Sequence, residues 1–407
     1  MSSTRIGLVS GEFDPERGGV SDYTARLADH LRRSGVEALV LTTHERAAAG
    51  DAALGLATAW DLREVRSAAR TLRRLDLDVV HVQFSPSAYG YRGAIGALPM
   101  LLAGGPRLAV TLHEYGRWSW RPRWLPAGMA PGLWRGAERR GLWDRETLLL
   151  TSRADRLVVT TPVHAAAVRE RLPSRADRVI EIPVGPNVTP VEMDRAEART
   201  RLGAGPDEPV LVFFGTVHPV SGIPYLLDAA VRLRTTFPGL RLYVVGGFDD
   251  AHVQTTSYRS EVETLIDGRA LGQTVRITGR LPEPEVSALL RAADVAVLPF
   301  TAGVTARNGA VLAALEHRVP TVATQANPPD PELEHERHLL LVPRRDSGAL
   351  AASITRLLTD DELAARLADA GAALARRHGW PNIAAAHLDL YRSMLPAGAV
   401  VPLPSEA

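Results

Sequence analysis

The sequence predicts an α/β protein made of two doubly wound, Rossmann-like domains, and three observations carry that expectation. Short Val- and Leu-rich runs alternate with amphipathic helical stretches through the first half of the chain, the pattern of a parallel sheet covered on both faces. The alternation breaks at a proline-bearing stretch and starts again after Glu208. Finally, 407 residues are too many for one ordinary core and suit two domains of about 150–200 residues each.

Taken in order, Ile6–Val9 reads as a buried strand, Tyr23–Ser34 as an amphipathic helix and Glu37–Thr42 as a strand. A helical pattern around Ala69–Leu75 leads to a strand at Val79–Phe84, and Leu108–Leu112 and Arg156–Thr160 continue the series. Ile182–Pro190 holds prolines 183, 186 and 190 and suits an interdomain linker. Beyond it come a strand at Val210–Phe214, a helix at Ile223–Thr236 and a strand at Leu240–Val245 that ends in Gly246-Gly247. Val275–Thr278, Leu289–Leu298 and Val319–Thr324 complete the second sheet. A last helix holds Trp380 and Ile383–Leu395, ahead of a frayed Pro402–Ala407 tail. The expected division is therefore residues 1–186, residues 187–377, and a terminal helix with its tail over 378–407.

Composition removes several function classes. A net charge of +1 gives no case for nucleic acid as a partner. The absence of cysteine excludes disulfides and thiolate metal sites and points to the reducing cytoplasm. The N-terminus runs straight into a strand without a signal-peptide pattern. No apolar run reaches the ~18 residues that a membrane span needs, so any membrane contact is at most peripheral. All 47 Lys+Arg residues are arginine. A Walker A loop, a kinase ATP lysine and a Schiff-base lysine are thus impossible. The G-x-G-x-x-G fingerprint is missing after the first strand, which weakens a dinucleotide enzyme.

The run from Val295 to Thr324 is the most informative. It reads as a strand, a Pro-Phe stop, a glycine-containing loop, a helix opening at Asn308-Gly309 and ending near His317, and a further strand. Free N–H groups and the positive end of the helix dipole make such a helix start a place for an anion. Arg307 stands at that start, where a phosphate would pair with it bidentately. Glu316 is the acid near the helix end. This run resembles the donor-binding element of family 4 glycosyltransferases, which usually reads Glu-x7-Glu. Here the first Glu position is held by Asn308, while Arg-Asn-Gly resembles the loop of one branch of the family.

The resemblance implies a GT-B fold, two doubly wound Rossmann-like domains facing across a cleft, with the last helix crossing back onto the first domain. It also implies that Glu316 holds the donor ribose, that Asn308 meets the donor sugar through an uncharged contact, and that Gly309 lets the helix start approach the donor. In open parallel sheets ligands bind beyond the carboxyl ends of the strands, so the loops there are the ones to read. After the first strand, Gly18-Gly19 matches the family's glycine pair, where main chain nears the donor phosphate. His113 matches the family histidine that contacts the donor sugar, and Glu114 follows it on the acceptor side. His81 and Gln83 on the preceding strand also line the cleft, unless His81 is a satisfied core residue.

Gly215 and Gly222 match the phosphate loop, with Thr216 and Ser221 at the positions where relatives carry cations. That leaves Arg307, and Arg280, as substitutes for the missing clamp. Gly279, Arg280 and Leu281 resemble the nucleobase loop. Asp249-Asp250 reads as a solvated loop, and His335-x-x-His338 as a loop before a strand, with no metal expected. Five of the seven tryptophans lie between Trp118 and Trp143 among arginines, and Trp118 and Trp120 head the expected acceptor-binding segment. A local Trp-stapled subdomain is the plainer reading of that segment.

The activity so implied is transfer of a sugar from a nucleotide-diphosphate sugar to a small-molecule or glycan acceptor with retention, without a metal or a cofactor beyond the co-substrate. A partner subunit of degenerate GT-B type and a nucleotide-sugar epimerase are the alternatives, the former because Thr216, Ser221 and Asn308 replace three polar anchors.

Overall fold

In the computed structural model the described residues are 4–14, 19–47, 53–119, 131–248 and 253–396. The chain divides into two compact units, Met1–Val184 with Trp380–Ala407, and Gly185–Gly379.

The first unit is built on seven strands: β1 (Arg5–Ser10), β2 (Glu37–Thr43), β3 (Ala53–Ala57), β4 (Val79–Phe84), β5 (Arg107–Leu112), β6 (Arg156–Val159) and β7 (Val179–Glu181). All pair in parallel, in the order β3-β2-β1-β4-β5-β6-β7. The central strands β1, β4 and β5 are buried almost end to end, because helices cover both faces and there is no solvent side to alternate towards. One face packs on the helix Leu62–Arg74, whose Asp61 cap accepts the Glu64 N–H at 2.9 Å. The other packs on the helix Gly19–Arg33 and on the C-terminal helix Trp380–Met394, which buries Trp380, Ile383, Leu388, Tyr391 and Met394 against it.

The second unit carries β8 (Val210–Phe214), β9 (Arg241–Val245), β10 (Val275–Gly279), β11 (Val295–Leu298), β12 (Thr321–Thr324) and β13 (Leu340–Val342), parallel in the order β10-β9-β8-β11-β12-β13. The helices Ile223–Thr236, Gly309–Glu316 and Ser347–Thr359 bury one face, and Glu283–Ala292 the other. In both sheets the strand order reverses direction once, between β1 and β4 and between β8 and β11. Those reversals are where a doubly wound sheet opens a crevice at its carboxyl edge.

Several expected boundaries move. The first helix begins at Gly19 rather than Tyr23, with Asp22 in its first turn favoured by the helix dipole. Leu289–Leu298 is not one strand: Glu283–Ala292 is a helix with acids in its first turn, and only Val295–Leu298 is extended. The helix around Ala69–Leu75 extends back to Leu62. The short strands β3 and β7 were not expected at all, and β13 occupies the run that follows His338.

Candidate functional site

In the second unit the loops after β8 and β11 are welded together at the reversal. The Thr301 N–H donates to the Val220 carbonyl at 2.9 Å. Gly222, at φ 75°, lies so close that a Cβ there would collide with the Pro299 carbonyl. Gly215 and Gly246 also have positive φ, and a Cβ on Gly246 would strike the Gly215 carbonyl. The Gly246 N–H donates to the Gly279 carbonyl at 3.0 Å. The ends of β8, β9 and β10 are thereby drawn into one glycine-lined edge. Thr216 is exposed there, Arg280 is exposed with its Cγ packed over Gly247, and Leu281 is half-buried.

Ser221 calls for a correction. Its side chain is buried, and its hydroxyl accepts the His218 N–H at 2.8 Å while lying 2.9 and 2.7 Å from the Thr216 and His218 carbonyls. A hydroxyl with its capacity spent inside the loop shapes the loop and does not reach a phosphate.

The helix Gly309–Glu316 starts where expected, but its start is already occupied. Asn308 Oδ1 accepts the Ala310 and Val311 N–H groups at 3.0 and 3.2 Å, so the residue is an N-cap. The cap takes up the Asn308 side-chain oxygen and two of the N–H groups that would have faced an anion, so a sugar contact at Asn308 falls to its side-chain Nδ2. Arg307 is also engaged. Its guanidinium lies 3.4 Å from Glu332 Oε1, and Glu332 Oε2 lies 3.2 Å from His378 Nε2. Asp330 supports the same loop, its carboxylate accepting the Ala306 and Glu332 N–H groups at 2.8 and 2.9 Å. Gly309 backs onto Asn187, and Glu316 is half-buried in the last turn. His335 and His338 spend their Nδ1 atoms on the backbone N–H groups of Leu341 and Glu334.

In the first unit, Gly19 opens its helix, and among the described residues nothing lies within 4 Å of where a Cβ would stand. His113 follows β5 and is half-buried, with its Nε2 3.0 Å from Gln83 Oε1 and its ring edge-on to Tyr23 at 4.8 Å. Burial lowers its pKa to about 3, with His164 and His387 adding to the shift. The imidazole is therefore neutral near pH 7.

His81 is a core residue: its Nδ1 lies 2.7 Å from Tyr391 Oη and its Nε2 2.8 Å from Thr111 Oγ1. Glu114 is exposed, and Trp118 is half-buried with its ring 6.3 Å from Tyr91. Gly18, Trp120 and Asp249-Asp250 lie outside the described residues.

The two ends of the Trp/Arg segment are pinned together. Tyr115 donates to Asp144 Oδ1 at 2.8 Å, and the Gly116 N–H donates to Glu146 Oε2 at 2.8 Å. Arg171 bonds both Glu146 and the Gly116 carbonyl, with its guanidinium over the Tyr115 ring. Asp144 and Glu146 are buried, and burial pushes both carboxyls up from their ordinary range. Sequence reading missed this base because its partners are 25 to 55 residues apart along the chain.

Comparison with known proteins agrees with this geometry. Residues 208–360 match the family described as glycosyl transferases group 1, and residues 17–189 match glycosyltransferase family 4. The D-inositol 3-phosphate glycosyltransferase of Corynebacterium urealyticum is 24% identical over a 419-residue alignment, covering 96% of this chain and 96% of that one. The phosphatidyl-myo-inositol mannosyltransferase of Mycobacterium leprae is 26% identical over 420 aligned residues, with 98% and 100% covered. The crystal structure of Anabaena HepE in complex with UDP has a TM-score of 0.70 at 17% identity, with 96% and 100% covered, a likeness of fold. The two matched families span both units, and each unit has the doubly wound sheet that a GT-B protein requires. The chain belongs to the family 4 glycosyltransferases of GT-B fold and is an enzyme acting on nucleotide-sugar donors.

Proposed function

We propose that the enzyme transfers its sugar with retention of configuration to a hydroxyl or amine of a small polyol or glycan acceptor, without a resident metal. The observation that carries this is the glycine-lined edge of β8, β9 and β10 beside the helix that ends in Glu316. Backbone open enough to pack a diphosphate lies in the same unit as the half-buried Glu316 carboxylate, which is suited to two ribose hydroxyls. Arg307 stabilises charge on the leaving diphosphate when the nucleotide draws it from Glu332.

Catalysis on this reading is orientation and charge stabilisation. The leaving phosphate deprotonates the acceptor, so no carboxylate base is required at position 308. Asn308, as an uncharged cap, is compatible with that role. His113, neutral, faces the donor sugar. Two relatives are named for inositol-bearing acceptors, which supports a cyclitol hydroxyl as the first acceptor to try. The pinned segment beginning at Trp118 is the acceptor-side element, and Glu114 stands at its entrance.

The test is the product. Incubation of the isolated chain with UDP-, GDP-, dTDP- and ADP-sugars and a panel of cyclitols should release nucleoside diphosphate only when acceptor is present. The anomeric coupling of the product should match that of the donor. An inverted anomer would remove the mechanism, and acceptor-independent turnover would remove the transferase assignment of this site.

A further inference from the structure

We propose that Gln83 is a positioning residue that fixes His113 in the tautomer protonated on Nε2, so that the ring offers Nδ1 to substrate as a hydrogen-bond acceptor. The inference rests on the reading of His113 as the sugar-facing imidazole and deepens it.

Gln83 is the fifth residue of β4 and is fully buried; its Oε1 lies 3.0 Å from His113 Nε2. A carboxamide oxygen only accepts, so the nitrogen facing it carries the hydrogen. A neutral ring has one N–H, and Nδ1 is then a bare lone pair. Among the described residues no carboxylate bears on its titration: the groups that do are the histidines His164 and His387, and both disfavour the charged form. Its other packed neighbour is the Tyr23 ring, whose hydroxyl lies 3.4 Å from His387 Nε2.

The arrangement is held from beneath. His81 and Gln83 occupy one face of β4, and Gln83 pairs in register with Thr111 of β5, two residues before His113. His81 bridges Tyr391 and Thr111 with both ring nitrogens, which fixes the two strand ends that carry the Gln83–His113 pair. Gln83 Nε2 is buried without a partner among the described residues, so the amide has a single attachment there, its oxygen to the imidazole. A half-turn of that amide would present a donor to His113 and reverse the tautomer.

The chemical consequence is selective. A bare Nδ1 takes a hydroxyl hydrogen from a sugar, and it cannot donate to a phosphate oxygen. A donor sugar lacking the facing hydroxyl should therefore lose transfer rate while its nucleotide still binds.

The experiment is a two-bond ¹H–¹⁵N correlation spectrum of histidine-labelled enzyme at pH 7, with His113 assigned by the signal lost in His113→Asn. The expected spectrum shows Nε2 protonated and Nδ1 bare. Gln83→Glu should raise the His113 pKa by about one unit or more and add an ionisation to the pH profile of kcat, with nucleoside diphosphate affinity unchanged. Gln83→Leu should lower kcat about tenfold, again at unchanged nucleotide affinity.

A His113 protonated on Nδ1 would overturn the proposal, and so would wild-type kcat in a folded Gln83→Leu enzyme. If the leucine variant does not fold, the wild-type spectrum decides alone. Nucleotide binding is measured separately: its failure would count against the proposed function, whereas the tautomer is settled by the spectrum.

Discussion

Arg307 illustrates what a single residue type reveals and conceals. An arginine at a helix start suggests a phosphate partner, yet here it lies 3.4 Å from the Glu332 carboxylate. Sequence gives no sign of that partner, 25 positions further on and brought back by the turn that Asp330 braces. Glu332→Gln should therefore lower the nucleoside diphosphate dissociation constant by a few-fold, since the diphosphate no longer competes with a carboxylate; titration calorimetry reads this directly. Weaker binding would show that Glu332 orients the guanidinium rather than competing for it.

Three further substitutions separate the roles. Glu316→Ala should weaken nucleotide binding by about 1.5–3 kcal/mol, the range for hydrogen bonds to a charged group. His113→Ala should leave nucleotide affinity near wild type and reduce transfer. Arg307→Ala should lower the rate more than base recognition. Equal losses of binding and rate across all three would indicate general destabilisation instead.

At the scale of elements, the central strands were legible because burial on both faces leaves β1, β4, β8 and β11 mostly apolar. Short strands away from the sheet centres were not: β3 reads ALGLA, with a glycine inside, and β7 is three residues ending in Glu181. The glycine inside β3 and the three-residue length of β7 leave neither with a strand pattern to read. The helix boundary at Asn308 was legible because an asparagine before an apolar run is a good cap, and its side-chain oxygen is spent on that role.

The pinned base of the Trp/Arg segment makes an element-scale prediction. Glu146 is 1% exposed and paired with Arg171, so Glu146→Ala leaves a poorly hydrated guanidinium behind. Chemical denaturation should show a loss of about 3 kcal/mol. In the protein that remains folded, KM for the acceptor should rise more than KM for the donor. Equal rises would separate the segment from acceptor recognition.

Over the whole molecule, buried histidines couple stability to pH. Burial lowers the pKa of His81, takes that of His113 to about 3, and those of His317 and His387 to about 4. Unfolded, each ring titrates near 6.5. Between 6.5 and the lowered values the unfolded chain binds more protons than the folded one, so stability falls as pH falls. The contribution is complete above 6.5 and fades towards about pH 4. Urea midpoints measured from pH 7.5 to 5 should decline steadily, and a flat series would contradict the neutral, buried state of these rings.

The central claim is that the glycine-lined edge and the Glu316 helix together hold a nucleoside diphosphate. Isothermal titration of the intact enzyme with UDP, GDP, dTDP and ADP, repeated with Glu316→Ala, tests it most directly. The account predicts that at least one diphosphate binds with one-to-one stoichiometry below the millimolar range, and that the alanine variant binds it more than tenfold more weakly, the lower end of about 1.5–3 kcal/mol for a charged hydrogen-bonded contact. No binding of any diphosphate at millimolar concentration, or unchanged affinity in a folded Glu316→Ala enzyme, would contradict it.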